Sequence, residues 1–583
     1  MKKLIYLLLV LLPFQLVFAQ TIWFDPQKAE FNPVDGQYWQ NEQREGFYNR
    51  VPLRFKAALR PAVWDLALDC AGESILFRTN SKNIEIQYEI SRKDFKTPHI
   101  PQTSTLGADL YGMDNEGESL WFAPSYKISD EQCSYSYQQI NYRSSSESSG
   151  YEYRLFLPLR TSLEWLKIGV DSTANFEFIK PRSEKPIVVY GTSITHGAAA
   201  SRPGMAWTSI VSRELDMPLL NFGFAGNGKL EDGVIDMICE IDAAVFVLDC
   251  MPNLASVYSG ELTKLIVKQV KKIRSAHPAT PIVLTDHLGY PHSKVYKRQE
   301  NLEVSVLHAQ LEAYNQLKLE GVEHIYHLTY KDINMPNDAT VEGIHPSDYG
   351  MRYYADAYNK LLRKVLHLTA WGDSSTNSSR QRRDYKAYEW TDRHEKILAI
   401  NRDTIKYRRA FIGNSIVHQW GGVDDFRIQR APELWDKHFS DCLNLGFGWD
   451  RIENVIWRIE HGELDGQNFE EIIIKIGTNN ISLKHTDEQI TEGIKQLLSS
   501  INFRQPKSKI TLLGVLPRRG LEGRVKTLNL KIASLAKSLN YVSYKDVGRG
   551  LLQSDGKINE KLFVDGLHPN AEGYEAVALS MAL

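Results

Sequence analysis

The sequence predicts a multidomain protein: an N-terminal all-β sandwich, jelly-roll-like, followed by two three-layer α/β domains with parallel sheets. Three observations support this prediction. Residues 20–183 contain short runs of alternating apolar and polar residues, residues 184–368 and 406–583 alternate apolar strands with helical patterns, and the latter two regions share one set of short motifs. A chain of 583 residues is also too long for one core, and three or four domains of about 150 residues are expected.

Residues 1–19 are typical of a secretory signal peptide. Lys2 and Lys3 precede an apolar run, and Val17-Phe18-Ala19 ends in a small residue suited to cleavage. The apolar run is short for a bilayer, and no later stretch is long and apolar enough to span one. We therefore expect cleavage near Ala19 and a secreted or periplasmic protein without a membrane span.

In residues 20–183, runs such as SILFRT, NIEIQYEI and YEYRLFLPL alternate with a period of two and are separated by turn signals. This pattern predicts antiparallel strands in a sandwich.

From residue 184 the pattern changes to apolar strands such as IVVYG and EIIIKIG separated by helical segments. Helices are predicted at 261–274, 301–319, 349–365, 486–501 and 525–539. Such alternation is typical of a parallel sheet covered by helices, in which ligands bind at the carboxyl ends of the strands. Residues 369–405 are predicted to be a linker that contains a helix over 392–402.

Ser193 follows a predicted strand in IVVYGTSITHG, and Ser415 does so in RAFIGNSIVHQW. A serine between a strand and a helix presents its hydroxyl above the sheet, where free N–H groups stabilise negative charge. Serine also suits a helix N-cap, and for one such stretch alone capping is the better interpretation. The repetition favours a chemical role.

Three further blocks follow each serine in the same order. The first region has NFGFAGN with Gly226, LDCMPN with Asn253, and EGIHPSD with Glu342 and His345. The second has NLGFGWD with Trp449, GTNN with Asn479, and DGLHPN with Asp565 and His568. The serines lie 222 residues apart, and the equivalent residues of the later blocks lie 223, 226 and 223 apart. This constant register predicts a duplicated catalytic unit.

The four blocks resemble those of SGNH/GDSL-type hydrolases. The resemblance implies a flavodoxin-like fold and a serine nucleophile activated by a histidine, which a carboxylate orients. It assigns these catalytic roles to Ser193, His345 and Glu342 in the first domain, and to Ser415, His568 and Asp565 in the second. Glu342 departs from the aspartate usual in the family, but its extra methylene still allows it to reach the imidazole.

The resemblance also implies which groups stabilise an oxyanion. Besides each serine N–H, these are the Gly226 N–H and the Asn253 amide in the first domain, and the Trp449 N–H and the Asn479 amide in the second. Trp449 stands where the family has glycine. Its N–H can serve if the loop does not require a positive φ, and its indole is expected beside the cleft, where it can stack on a sugar.

Other polar residues near the blocks have less specific signals. His196 and His418, three residues after the serines, are expected in pocket walls, because only the later histidines have carboxylate partners. His287, His292 and Asp249 are equally consistent with lining the first cleft and with loop structure.

Residues 106–111, LGADLY, resemble the signature of the GxDLY module that precedes certain GDSL-type hydrolase domains. The resemblance implies that residues 20–183 pack on the catalytic domain and shape one wall of its cleft, with carbohydrate binding as an alternative. Asp109 and Tyr111 are the candidate residues, although they can equally fix a turn and fill a core.

Composition excludes some classes of function. A net charge of -2 gives no general case for binding nucleic acid or anionic membranes. Neither C-x-x-C nor H-E-x-x-H occurs, so a zinc site is not expected, and no metal or organic cofactor is implied. The 5 cysteines favour buried free thiols, with a Cys70–Cys133 pair left open.

The predicted function is that of an exported serine esterase with two sites, acting through acyl-serine intermediates on O-acetyl groups of polysaccharides or oligosaccharides. Two alternatives stay open. One is a lipid or thioester hydrolase of the same superfamily, and the other is a glycan-binding protein with one inactive hydrolase domain. The expected partner is an acetylated glycan or small ester, and the oligomeric state is left open.

Overall fold

The computed structural model describes residues 20–91, 97–114, 119–129, 132–142, 150–370, 374–381, 388–423 and 427–581. The predicted signal peptide, residues 1–19, lies outside them. Among the described residues, no helix combines the length and the apolar character needed to cross a bilayer.

The N-terminal part consists of two antiparallel sheets. Its strands are β1 Thr21–Phe24, β2 Val34–Asp35, β3 Ser74–Thr79, β4 Ile84–Ile90, β5 Asp109–Met113, β6 Ser119–Phe122, β7 Ser125–Lys127, β8 Cys133–Tyr137, β9 Tyr151–Phe156, β10 Leu163–Asp171 and β11 Phe176–Phe178. One sheet has the order β1-β10-β4-β8-β7, and the other has β11-β3-β9-β5-β6 with β2 beside β3. Buried and half-buried residues alternate strictly along β4, as the period of two predicts.

Two short helices, α1 Pro61–Ala67 and α2 Gln102–Thr105, accompany these strands and were not anticipated from the sequence. Val63 and Trp64 of α1 are buried in the apolar core of the following α/β domain, together with Val188 of that domain's first strand. A helix of two turns is too short to show a clear helical period, and its apolar face belongs to the neighbouring domain.

Each α/β region contains a five-stranded parallel sheet. The first comprises β12 Ile187–Gly191, β13 Leu219–Gly223, β14 Val245–Asp249, β15 Ile282–Thr285 and β16 Ile325–Leu328, in the order β13-β12-β14-β15-β16. The second comprises β17 Arg409–Gly413, β18 Cys442–Gly446, β19 Glu471–Lys475, β20 Lys509–Leu513 and β21 Val542–Lys545, in the equivalent order β18-β17-β19-β20-β21. This 2-1-3-4-5 order is that of flavodoxin-like folds and confirms the predicted fold class.

Helices cover these sheets. In the first region they are α3 Ser193–His196, α4 Trp207–Leu215, α5 Asp232–Ile238, α6 Ser259–Ala276, α7 Lys297–Leu319, α8 Tyr330–Ile333 and α9 Asp348–Leu366. After the linker helix α10 Trp390–Arg402 come α11 Ser415–His418, α12 Pro432–Phe439, α13 Ile452–Glu460, α14 Thr478–Ser482, α15 Asp487–Arg504, α16 Glu522–Lys537 and α17 Ala571–Ser580. The strands that precede the two serines, β12 and β17, are buried along their length except at the half-buried Arg409, because helices lie on both faces of each sheet.

A buried carboxylate connects the two α/β regions. Asp216, at the end of α4, accepts hydrogen bonds from Arg380 Nε at 2.9 Å and from Trp457 Nε1 at 3.0 Å, and pairs with Arg182 at 3.3 Å. Trp457 lies on α13 of the second α/β region, whereas Arg182 and Arg380 lie in the segments between domains. The Asp216 side chain therefore bonds residues from all of these parts. A buried charge with several partners of this kind specifies one relative position of the elements that carry them.

The LGADLY motif joins the sandwich to the first α/β region. Asp109 Oδ2 accepts from Arg202 at 2.5 Å and from the Gly204 N–H at 3.0 Å, while Asp109 Oδ1 accepts from Trp121 Nε1 at 2.8 Å. Arg202 also donates to the Tyr111 hydroxyl at 2.7 Å. The expected packing of this motif on the next domain is therefore confirmed, and the motif fastens the loop that follows Ser193.

Replacing Gly204 tests this joint. A Cβ at this position would come within 2.5 Å of Asp109 Oδ2 and would also collide with the Tyr111 ring. We expect Gly204→Ala to destabilise the protein by about 1–3 kcal/mol, measured as a lower apparent Tm. Gly523→Ala, whose Cβ would meet no atom within 4 Å, is the control and should leave the Tm unchanged or slightly raised. Equal Tm values for the two variants would contradict a tight joint.

Candidate active site

Ser193 is the first residue of α3, directly beyond β12, and it does not cap the helix. The N-cap is Thr192, whose hydroxyl accepts from the Ile194 N–H. In the second region Asn414 caps α11 in the same way, and Ser415 follows it. Because a neighbour satisfies the helix start, both serine hydroxyls are available for other partners, and the capping interpretation is wrong at both positions.

The first serine is hydrogen-bonded to the predicted histidine. Ser193 Oγ lies 2.8 Å from His345 Nε2, and Glu342 Oε1 bonds His345 Nδ1. A proton on Nδ1, shared with the carboxylate, leaves Nε2 as the acceptor for the serine hydroxyl. Glu342 Oε1 also accepts from the His345 N–H at 3.1 Å, so its extra methylene does not prevent contact with the imidazole.

The second region repeats the arrangement. Ser415 Oγ lies 2.9 Å from His568 Nε2, and His568 Nδ1 lies 2.7 Å from Asp565 Oδ2. The other carboxylate oxygen, Asp565 Oδ1, accepts from the His568 N–H at 2.8 Å. Each predicted set of serine, histidine and carboxylate is thus brought together by the fold.

A tight turn brings each acid close to its histidine. Gly343 and Gly566 lie between them with φ of 87° and 79°, in the left-handed region that glycine adopts most easily. Isolated bridges from Thr340 to Pro346 and from Phe563 to Pro569 close the turns. Burial lowers the pKa of both histidines, which keeps the imidazoles neutral and able to accept a proton.

The predicted oxyanion residues lie in loops beside the serine strands. The loop of Gly226 begins where the Phe224 N–H donates to Gly191 O at 3.0 Å, and Asn253 Oδ1 accepts from the Gly228 N–H at 3.0 Å. This bond directs the Asn253 NH₂ group away from Gly228. In the second region, Asn479 Nδ2 donates to Asp450 O at 2.9 Å, which leaves its second N–H for another acceptor.

Trp449 adopts the backbone conformation of the glycine it replaces. Its φ is 66° and that of Gly226 is 70°, so the expected condition that the loop has no positive φ is not met, and Trp449 itself adopts the left-handed conformation. For a residue with a Cβ this conformation costs roughly 1–2 kcal/mol. Trp449 is 44% exposed, in agreement with the expectation that the indole projects from the loop. Backbone strain of this kind occurs frequently at functional sites, so the conformation of Trp449 favours a functional role for this loop.

The expectation that His196 and His418 line pocket walls was wrong, because both are fully buried. His196 Nε2 contacts Leu159 O at 2.6 Å, which belongs to the sandwich, and His418 Nδ1 accepts from the Gly448 N–H at 3.1 Å. Both are structural. His287 is also buried and accepts from the Gly289 N–H, which supports the loop interpretation.

Sequence reasoning did not foresee the contrast between two buried residues beneath the sites. Asp249 pairs with Gly191 in the sheet register, and Lys475 pairs with Gly413, so the two occupy equivalent positions. Asp249 accepts from Thr195 at 2.9 Å and from Tyr354 at 2.8 Å. Lys475 Nζ is buried and has no hydrogen-bond partner among the described residues. Burial raises the pKa of Asp249 to about 7 and lowers that of Lys475 to about 7.

All five cysteines, Cys70, Cys133, Cys239, Cys250 and Cys442, are free thiols, and the possible Cys70–Cys133 pair is not formed.

Family models match three parts of the chain. Residues 184–363 and 411–576 each match a model of the GDSL-like lipase/acylhydrolase family, and residues 21–176 match the model of the N-terminus of SGNH-hydro-type esterases. The platelet-activating factor acetylhydrolase IB subunits alpha1 of Bos taurus and Homo sapiens are each 30% identical over 198 residues, 33% of this chain and 80% of theirs. A Bacteroides ovatus structure described as a GDSL-like lipase superposes with a TM-score of 0.54 and 28% identity, over 60% of this chain and 99% of that one.

The unpartnered Lys475 amine can be tested through stability. Burial lowers the pKa of Lys475 from above 10 to about 7. Between these pH values the unfolded chain therefore binds more protons than the folded protein, so the destabilisation caused by burying Lys475 becomes smaller as the pH rises. We expect Lys475→Met to raise the free energy of unfolding at pH 7 by on the order of 3 kcal/mol, and by much less at pH 10. Tm measurements at both pH values check this. Lys495→Met, at an exposed ion pair, is the control and should change neither value.

Proposed function

The chain belongs to the GDSL-like lipase/acylhydrolase family, and from that premise we propose that it is an exported serine esterase whose two sites release O-acetyl groups from polysaccharides or oligosaccharides. The observation that carries the proposal is the duplicated hydrogen-bonded series of serine, histidine and carboxylate.

The proposed reaction follows from these contacts. His345 Nε2 takes the proton of Ser193 as Oγ attacks the ester carbonyl, and Glu342 stabilises the imidazolium through Nδ1. The protonated histidine then gives its proton to the departing alcohol, leaving an acyl-serine. Water, deprotonated by the same histidine, attacks the acyl-serine and releases the acid and the serine. Ser415, His568 and Asp565 perform the same steps in the second site.

The proposed oxyanion groups complete each site. The N–H groups of Ser193 and Gly226 and the Asn253 amide serve in the first site, with those of Ser415, Trp449 and Asn479 in the second. Loss of one such donor typically costs about a hundred- to a thousandfold in rate. The left-handed conformation that Trp449 shares with Gly226 supports an equivalent direction for the two main-chain N–H groups.

Two observations support acetyl esters of sugars. The curated relatives are named as acetylhydrolases, which supports a small acyl group. The exposed Trp449 indole, on the loop of the second site, provides the kind of flat apolar surface that stacks on a sugar ring. The predicted signal peptide supports export, and hence access to extracellular or periplasmic glycans.

A lipid ester is the second candidate substrate, because those relatives are named for platelet-activating factor. This candidate uses the same catalytic groups and differs only in the alcohol part of the ester.

The serine variants test the proposed function. Ser193→Ala and Ser415→Ala each remove one nucleophile, so each should abolish a part of the acetate release from acetylated polysaccharides. The double variant should lose activity by about 10⁴-fold or more. Acetate assays on the wild type and the three variants measure this. If no polysaccharide releases acetate while lipid acetates are cleaved, the lipid candidate replaces the glycan. If the double variant retains full activity, the proposed sites are wrong.

The pH dependence provides a second test. Each site needs a neutral histidine, and burial lowers the pKa of His345 and of His568 below 6.5. The Ser415→Ala variant reports on the first site alone, and Ser193→Ala reports on the second site alone. In each variant we expect kcat/KM to fall on acidification only below pH 6.5. Inactivation with a midpoint well above pH 6.5 in both variants would contradict the assignment of these histidines as bases.

A further inference from the structure

A histidine of the sandwich lies against the histidine of the first site. His99 belongs to the loop between β4 and α2, and its ring centroid is 5.1 Å from that of His345, with an angle of 19° between the ring planes. The two imidazoles are therefore stacked. His345 already uses Nε2 toward Ser193 and Nδ1 toward Glu342, so His99 adds a contact on the ring face.

Hydrogen bonds close to His99 connect the sandwich to the first α/β domain. Thr103 of α2 donates to Ser201 O at 2.6 Å. Ser201 in turn donates through its N–H and hydroxyl to the Asp348 carboxylate, at 2.7 and 2.5 Å. Asp348 begins α9, three residues after His345. The sandwich is thus tied to the loop that follows Ser193 and to the helix that follows His345.

A groove of about 530 Å³ opens between the sandwich and the first α/β domain at this contact. Pro98, His99 and Pro101 line its sandwich side, and Ser201, Asp348 and Tyr349 are among the residues on the opposite side. Its volume is within the range of small-ligand sites. Proline and tyrosine rings provide apolar surfaces, while imidazole and hydroxyl groups provide hydrogen-bonding ones, a combination that suits a sugar ring.

The chemistry of the reaction indicates which part of the ester enters the groove. The histidine that deprotonates the serine must later protonate the departing alcohol, so the alcohol oxygen has to lie close to His345 Nε2. His99 lines the groove and also stacks on the His345 ring, so the groove lies next to the histidine that handles this proton.

We propose that His99 is a positioning residue of the first site and that the groove it lines receives the alcohol part of the ester. This inference rests on the proposed function, under which that alcohol is a sugar. In the part of the chain that the structure describes, the segment before the second region reaches that site's loop differently, through Gln381 and Tyr388, which donate to Gly448 O.

The test uses the full chain with Ser415→Ala, so that only the first site reacts. Three further variants are compared: His99→Ala, His99→Phe, which keeps a flat ring, and the control His308→Ala at an exposed position of α7. Each is assayed for kcat and KM on an acetylated xylo-oligosaccharide and on p-nitrophenyl acetate. The p-nitrophenolate group departs without a proton and does not need a positioned alcohol.

We expect His99→Ala to lower kcat/KM for the oligosaccharide by about tenfold or more and for p-nitrophenyl acetate by less than about threefold. His99→Phe should recover most of the loss, and His308→Ala should show none. Equal losses on the two substrates, or no loss on either, would overturn the proposal.

A separate result would identify failure of the proposed function. If the Ser415→Ala protein releases no acetate from oligosaccharides but cleaves p-nitrophenyl acetate, the glycan assignment fails. Hexyl acetate, whose alcohol also needs a proton, then replaces the sugar ester. The comparison of His99→Ala with His99→Phe still decides whether His99 positions the alcohol, since the same selective loss is expected.

Discussion

Each candidate site depends on one hydrogen bond between residues far apart in the chain. Ser193 and His345 are separated by 152 residues, and Ser415 and His568 by 153. The serine follows the strand next to the edge of a parallel sheet, and the histidine precedes the last helix of its domain. The parallel sheet places the carboxyl ends of its strands on one side, and the fold brings these two positions within hydrogen-bond distance there.

The duplicated domains preserve this geometry above the sheet and differ beneath it. Asp249 and Lys475 share one register position, but the first is held by two hydroxyl donors and the second has no partner among the described residues. The backbone of a parallel sheet tolerates both, because the strand hydrogen bonds do not involve side chains. The surroundings of the two serines thus differ in polarity while the reacting groups remain equivalent.

Residues of the sandwich contact the segments that carry the first candidate site. Asp109 fastens the loop after Ser193, and His196, buried just beyond that serine, contacts Leu159 of the sandwich. His99 stacks on His345. The second region also meets preceding segments: Trp457 donates to Asp216, and Gln381 and Tyr388 donate to Gly448 O, next to Trp449. The two copies of the unit therefore have different surroundings around equivalent candidate catalytic groups.

The sequence by itself determined the three-part architecture, the strands and long helices, and the four blocks that carry the candidate catalytic groups, because periodicity and spacing are local properties that duplication makes visible. The tertiary structure alone decided the left-handed backbone of Trp449, the burial of His196 and His418, the contrast of Asp249 with Lys475, and the approach of His99 to His345. Each of these features depends on which distant segments of the chain come into contact. The packing of one domain on another produces no periodic pattern in the sequence of either domain.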